Sequence, residues 1–245
     1  MNVYIWTSGE LKNAYIGEVW TPWINTIAYY PLEKDANDYS WNNRHWTNSW
    51  VTFSNGLATF NGSASITLWT ADRTKIQTYP KATISVWFNR NWNKNWWMII
   101  WKMQTNPTAT SNAVYCVYVR YDSNAPLYPN QICWWIYTWD GWTPEPLSFQ
   151  WAWQLATANT RYNVVITKDW TTKKWYINWV KIVEKSTTNT ATTYNPDLII
   201  WWWTYYNNDV RFTWNISNVI FEDITWTDQN VQDYYNSTKS LYWIS

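Results

Sequence analysis

Glycine is almost missing from this chain: there are five in 245 residues, where about 7% is usual. So few glycines rule out collagen-like and flexible low-complexity chains, and leave few residues suited to the left-handed backbone of tight turns. Charge is scarce as well, at 14% with a net +1. No basic cluster is longer than Lys173-Lys174, so the electrostatic footprint of a nucleic-acid binder is lacking. No apolar run reaches the roughly 20 residues of a membrane span. The start of the chain lacks the basic and apolar regions of a signal peptide, so a route out of the cell by lysis, by another pathway or within a longer precursor is expected. A Glu-x-Asp-x-Glu run, which would set catalytic carboxylates on one strand face, is also absent. Glu222-Asp223 places adjacent side chains on opposite faces, which fits a solvated strand end better than a glycosidase pair about 5 to 10 Å apart. The single His45, in "NNRHW", reads as a loop residue.

Tryptophan is abundant, with 27 residues, and it sits where glycine would. In "KKWYINWVKIV" two strands meet at Asn178-Trp179. A two-residue hairpin loop is normally a type I′ turn with φ > 0 at both positions, and Asn-Gly is its strongest signal. Trp also follows Asn or Asp at Trp92, Trp96 and Trp170, and lies among Ser, Asn and Thr at Trp41, Trp46 and Trp50. The true glycines occupy the same kind of place, at Asn55-Gly56, Asn61-Gly62 and Asp140-Gly141. The N-terminus repeats itself at Tyr4-Ile5-Trp6 and Tyr15-Ile16-Gly17, with Trp6 matching Gly17. The pattern is that of a gene whose UGA codons mean glycine but are read as tryptophan. Positions Trp6, Trp41, Trp46, Trp170, Trp179 and Trp214 are then glycines by design. Trp87, Trp175 and Trp226 fit strands or the step after one, and are expected to be native. The other reading is a chain that is truly rich in tryptophan.

The two cysteines, Cys116 and Cys133, lie in "AVYCVYVRYD" and "QICWWIYT", which read as antiparallel neighbours. A hairpin centred between Asn124 and Ala125 sets the cysteines opposite each other. Cross-strand Cβ separations are slightly wide for a disulfide, so both a bond and two thiols remain open.

Residues 1–23 form a short repeat leader, and 24–245 a single domain. From Ile24 onward about a dozen short alternating or apolar segments recur between turn signals: 27–32, 51–53, 58–60, 65–68, 82–89, 98–103, 113–121, 131–138, 162–168, 174–184, 197–200 and 210–221. Helical periodicity is confined to "TDQNVQDYYNS", capped by Thr227 or Asp228 with Val231 and Tyr234 inward. This spacing predicts an all-β fold, an antiparallel two-sheet sandwich.

The ordered landmarks "NTIAYYPLEKDANDYSWNNRHWT", "FNGSASITL", "TISVWF", "YNVVITKDWTTKKWYINWVKIV", "LIIWWW" and "FTWNISNVIFEDITWTDQNVQDYY" resemble the laminin-G-like, concanavalin-A-like jelly-roll superfamily over roughly residues 25–240. That family carries glycine where Trp41, Trp46, Trp170, Trp179, Trp201 and Trp214 stand here. The leader resembles the short duplications that begin phage virion and tail-associated proteins. The superfamily spans lectins, adhesion modules and glycoside hydrolases, so the resemblance implies a fold and leaves function to the site.

The resemblance also implies a structural calcium, for which Asp35, Asn37 and Asp38 supply oxygens. The last strand offers only Asn215, Ser217 and Asn218 where the family has an acidic residue, and a plain polar turn is the other reading of the loop. In the cysteine hairpin, alternation assigns Ala113, Tyr115, Val117, Val119 and Tyr121 to the core. Tyr118, Arg120, Gln131 and Tyr137 then share the other face, as a glycan-binding surface or a solvated sheet face. The expected function is a non-catalytic carbohydrate or cell-surface binding module of a phage virion, tail-associated or surface adhesion protein. It would act outside the cell or on the virion, on a glycan or cell-envelope polysaccharide. A structural decoration or spacer domain contacting other virion proteins is the alternative, and a glycoside hydrolase the third. Neither nucleic acid nor a membrane span is expected.

Overall fold

A computed structural model describes residues 25–61, 64–68, 79–90, 97–103, 113–120, 131–136, 157, 159–170, 172–186, 198–200 and 213–242; the expected leader lies outside them. In chain order the elements are β1 (Thr26–Tyr30), β2 (Thr47–Ser49), β3 (Thr52–Ser54), β4 (Leu57–Asn61), β5 (Ser65–Leu68), β6 (Lys81–Arg90), β7 (Trp97–Met103), β8 (Ala113–Arg120), β9 (Gln131–Ile136), β10 (Thr160–Asp169), β11 (Thr172–Ile177), β12 (Val180–Ser186), β13 (Leu198–Ile200), β14 (Thr213–Glu222) and α1 (Asp228–Tyr242). They build two antiparallel sheets. The larger has eight strands in the order β12-β11-β10-β6-β14-β4-β3, with β1 also on β14, and the smaller runs β2-β5-β13-β7-β8-β9. The expected all-β sandwich is the fold.

Strand β2, "TNS", was not among the expected segments, because it has no apolar side chain and pairs only with β5 at the sheet edge. Strand β14 changes partner halfway: Thr213–Ile216 pair with β4, and Val219–Glu222 with β1. Its register against β6 shifts between Ser217 and Ile220. Asn218 takes a φ of 51° there, and its N–H donates to the Pro31 carbonyl at 2.9 Å. This bulge lets one strand serve both neighbours.

Alternation sends Ile84, Val86, Phe88, Val164, Ile166, Ile216 and Phe221 into a core shared with Ile66, Ile100, Val117, Ile132, Leu198 and Ile200 of the smaller sheet. The opposite face of the larger sheet is also apolar at its centre. Tyr29, Trp87, Val165, Tyr176 and Ile220 pack there against Val231, Tyr234 and Tyr235 of α1, and the Trp87 and Tyr235 rings stack at 5.5 Å. The helix starts as expected at a Thr227 cap: Asn230 N–H donates to Thr227 Oγ1 at 3.1 Å, and Thr227 N–H to Asn230 Oδ1 at 3.0 Å. Asp228, in the first turn where the helix dipole favours an anion, accepts from Lys174 and Lys181 at 2.9 Å each and from Tyr176 at 2.8 Å. Those partners hold its carboxyl well below the usual range.

Glu222 joins β1, β14 and the approach to α1. It is buried and accepts from Thr26 Oγ1 at 3.3 Å and from the Trp226 indole N–H. Burial outweighs these donors and pushes its carboxyl up to about 7. Trp226 N–H also donates to Thr83 Oγ1 at 3.0 Å, and its ring lies 4.9 Å from Tyr234.

Turn backbones separate the tryptophans into two populations. Asn178 and Trp179 have φ of 47° and 67°, the conformation that Asn55 and Gly56 adopt at 51° and 73° in the β3–β4 hairpin. Two hairpins thus close on the same turn, one with glycine and one with tryptophan. Trp50 and Trp170 are also left-handed, at 67° and 45°. These side chains are exposed, with 82% at Trp50, 67% at Trp170 and 44% at Trp179, and Trp41 in another turn reaches 84%. Leu32 shares the left-handed backbone at 58° but is buried, so packing offsets its strain. Trp87, Trp175 and Trp226 are buried, as expected. Trp46 departs from expectation: it is buried, edge-on to Tyr30 at 4.6 Å, because the loop carrying it folds back and bonds Trp46 N–H to the Ala36 carbonyl at 3.2 Å. Trp214 lies inside β14, and Trp6 lies outside the described residues.

Trp170→Gly and Trp179→Gly should each raise stability by about 1 kcal/mol, by relieving left-handed strain. Trp175→Gly should lower it by at least about 3 kcal/mol through the cavity left in the core, all three being read by urea denaturation. Glu222 should make the fold less stable as pH rises. Its carboxyl is neutral in both states below the unfolded value of 4.5, and a buried charge must be carried above the folded value of about 7. The stability lost across that window is about 3 kcal/mol. Asp228 acts with the opposite sign and only at lower pH, since its folded value lies below its unfolded 3.8. Glu222→Gln should flatten the pH dependence of Tm between these limits; an unchanged slope would remove Glu222 as its source.

Candidate functional site

Hairpin β8–β9 was expected to carry a ligand face. Its register sets Tyr118 opposite Cys133, Arg120 opposite Gln131 and Val117 opposite Trp134. Val117 and Ile132 are buried in the core between the sheets, and Tyr118, Arg120 and Gln131 hold the alternate strand positions. Tyr137 lies outside the described residues. The expected cysteine pairing is corrected, because Cys116 faces Trp135 and Cys133 faces Tyr118. The pairing is displaced by two residues from the expected one, which makes the cysteines diagonal neighbours. Diagonal separations of about 7 to 8 Å exceed disulfide reach. A two-residue slip keeps every side chain on its own face, so the hydrophobic pattern could not distinguish the two registers.

The loop from Pro31 to Trp46 is built around Asp38. Its buried carboxylate accepts from four donors: Tyr29 N–H at 2.9 Å and Ser40 N–H at 2.8 Å on Oδ1, then Ser40 Oγ at 2.8 Å and Arg44 N–H at 2.7 Å on Oδ2. Asp38 N–H donates in turn to His45 Nδ1 at 3.1 Å, which gives His45 a structural task. Arg44 and Asn42 reach back to the Ile27 carbonyl at 2.7 and 3.1 Å, anchoring the loop on β1. Ser40, Asn42 and Arg44 were missed as loop organisers, although the Asp-x-Ser spacing is the signature of an Asx turn.

Calcium does not fit these donors. Asp38 directs both oxygens at N–H and O–H groups of its own chain, and Asp35 divides its oxygens between Asn37 N–H at 3.0 Å and the Tyr39 hydroxyl at 3.1 Å. A calcium ion takes six to eight oxygens, and among the described residues no group of three or more acidic, Cys or His side chains is arranged to hold a metal. On the surface the loop presents Tyr39, with Lys34 Nζ 5.5 Å from its ring centroid. The expected solvated strand end is corrected at Glu222, which is buried and accepts from Thr26 and Trp226, while the next residue, Asp223, is exposed and its N–H donates to the Asn25 carbonyl at 3.1 Å.

Asp38→Asn, whose single carbonyl oxygen can serve only one of the two donor pairs now on Oδ1 and Oδ2, should cost about 2 to 3 kcal/mol by urea denaturation. Adding millimolar calcium to the unsubstituted chain should leave its Tm unchanged relative to a chelator; a rise of several degrees would place calcium in the loop.

No family model matches the sequence, and a search of curated proteins finds no match either. Solved structures share its fold. Domain 4 of a GH43 extracellular arabinanase from Geobacillus stearothermophilus, in complex with arabinotriose, is 14% identical with a TM-score of 0.62, over 85% of this chain and 97% of that one. Trypanosoma rangeli sialidase in complex with sialic acid is 12% identical with a TM-score of 0.62, over 91% of this chain but 34% of that one. The binding domain of botulinum neurotoxin serotype G is 14% identical with a TM-score of 0.55, over 88% of this chain and 52% of that one. At these identities the likeness establishes the β-sandwich that the chain shares with all three.

Proposed function

We propose that this chain is a non-catalytic carbohydrate-binding module, of the laminin-G-like kind, belonging to a virion, a phage tail-associated protein or a surface adhesion protein. Its partner is a glycan or cell-envelope polysaccharide met outside the cell. The observation that carries the reading is the β8–β9 register, in which Tyr118, Arg120 and Gln131 alternate with buried Val117 and Ile132. An aromatic ring, a guanidinium and an amide are the side chains that stack on sugar rings and bond their hydroxyls. The sandwich shared with an arabinanase domain in complex with arabinotriose supports the same class of ligand, and the repeat leader supports the virion setting.

The exposed tryptophans are not part of that surface. They are glycine positions read under the wrong code, and the matching turns Asn55-Gly56 and Asn178-Trp179 support this. The cheapest test is the gene: UGA is expected at Trp50, Trp170 and Trp179 and UGG at Trp87 and Trp175, while UGG throughout would return the exposed indoles to the binding surface. For function, the chain carrying glycine at Trp41, Trp50, Trp170 and Trp179 should bind on a glycan array at millimolar sensitivity, equally with and without calcium. Tyr118→Ala should weaken that binding at least about tenfold, as expected for losing a stacked ring worth over 1 kcal/mol. Binding to other virion proteins with no glycan retained would make it a decoration or spacer domain instead.

A further inference from the structure

The larger sheet has a second half to its outer face, beyond the part that α1 covers. Thr59, Asn215, Asn89 and Arg161 stand in one row across the neighbouring strands β4, β14, β6 and β10: Asn215 pairs with Thr59 and with Asn89, and Asn89 pairs with Arg161. All four share the face of Trp87, since Ala58, Ile216 and Phe88 between them point into the inter-sheet core, and all four are half-buried. At about 4.8 Å per strand the row is about 14 Å long, the reach of a short oligosaccharide.

The residue types are the unexpected part. Asparagine is depleted in strands, yet Asn89, Asn163 and Asn215 occupy β6, β10 and β14, interior strands of the sheet. Two of the four row positions are asparagine, and none is Lys, Asp or Glu. The amides are held in place: Asn215 Nδ2 donates to Thr59 Oγ1 at 2.9 Å, and Asn163 Nδ2 to Ser85 Oγ at 3.2 Å. Both Asn89 Oδ1 and Asn163 Oδ1 are buried acceptors that receive no donor from the chain. An unmatched buried acceptor opposes folding, and a sequence that places two of them at diagonal positions of β6 and β10, Asn89 opposite Arg161 in the row and Asn163 beside it opposite Trp87, against its strand propensity is shaped by something other than folding.

We infer that this row is a second carbohydrate site, on the opposite sheet from the β8–β9 surface and independent of it. Its ligand is a neutral, hydroxyl-rich oligosaccharide lying across the strands. Hydroxyl groups both donate and accept, which suits a row of amides, a threonine hydroxyl and a guanidinium. Trp87 is buried beneath Tyr235 and closes the row on the helix side, so recognition here depends on hydrogen bonds and not on ring stacking.

The test is a titration of the 15N-labelled full chain with arabinotriose, xylotetraose and cellotetraose, reading side-chain amide and guanidinium signals. At least one sugar should shift the Asn89 and Asn215 amides and the Arg161 guanidinium saturably. In the Asn89→Ala/Asn215→Ala double variant its affinity should fall at least about tenfold, with Tm and the far-ultraviolet spectrum retained. Should that variant fail to fold, Asn89→Ser alone should weaken binding in the same direction. Shifts confined to β8 and β9 overturn the row and leave the proposed function standing. Shifts confined to the row support it and displace the β8–β9 assignment, and no shift with any of the three sugars overturns the row outright.

Discussion

The larger sheet is apolar on both faces at its centre, and one apolar face cannot be left in water. Strand β6 makes the constraint concrete: Ile84, Val86 and Phe88 enter the inter-sheet core, while Trp87 on the other side is buried under α1. Neither cover suffices alone. The smaller sheet buries one face, and the C-terminal helix has to return across the sheet to bury the other. Several polar contacts serve that return. Asp228 ties the helix start to β11 and β12 through Lys174 and Lys181, and Trp226 ties the preceding turn to Glu222 and Thr83. Exposed ion pairs contribute little each, so these contacts set where the helix lands while the aromatic stack supplies most of the energy.

That two-sided burial explains how much of the fold is legible in the sequence. Central strands show as apolar runs such as "TISVWF", and hairpin β11–β12 shows through alternation around Asn178. The helix shows through Val231 and Tyr234 at helical spacing behind a threonine cap. What stays hidden is whatever lacks an apolar signature. Strand β2 carries only polar residues and is held by its pairing with β5. The β14 bulge at Asn218 arises from a change of partner, which no local pattern encodes. The β8–β9 register also escapes, because both candidate registers bury the same side chains.

Backbone handedness gives information that composition alone cannot. A count of tryptophans says only that there are many, whereas the sign of φ sorts them. Buried indoles at Trp87, Trp175 and Trp226 satisfy core volume. Exposed ones at Trp50, Trp170 and Trp179 occupy conformations that cost a Cβ-bearing residue free energy, and none of them is buried in the core to offset it. Trp46 shows why location in a polar stretch is weaker grounds than backbone geometry: its neighbours in sequence read as a turn, yet its ring fills space beside Tyr30.

The candidate sites were legible to different degrees for the same reason. Asp35, Asn37 and Asp38 offered the oxygen chemistry of a metal loop, but oxygen chemistry does not say where the donors point. In the fold, Asp38 takes bonds from Tyr29, Ser40 and Arg44 and becomes the internal hub of a loop that a cation would otherwise have to organise. A carboxylate that gathers backbone N–H groups does a metal's structural work without the metal, and in doing so gives up the lone pairs a metal needs. The amides of β6, β10 and β14 are the reverse case. Each looks unremarkable where it stands in the sequence, and only cross-strand register brings Asn89, Asn215 and Arg161 into one row. A linear motif search cannot find such a site, because its members are neighbours across the sheet and lie many residues apart along the chain.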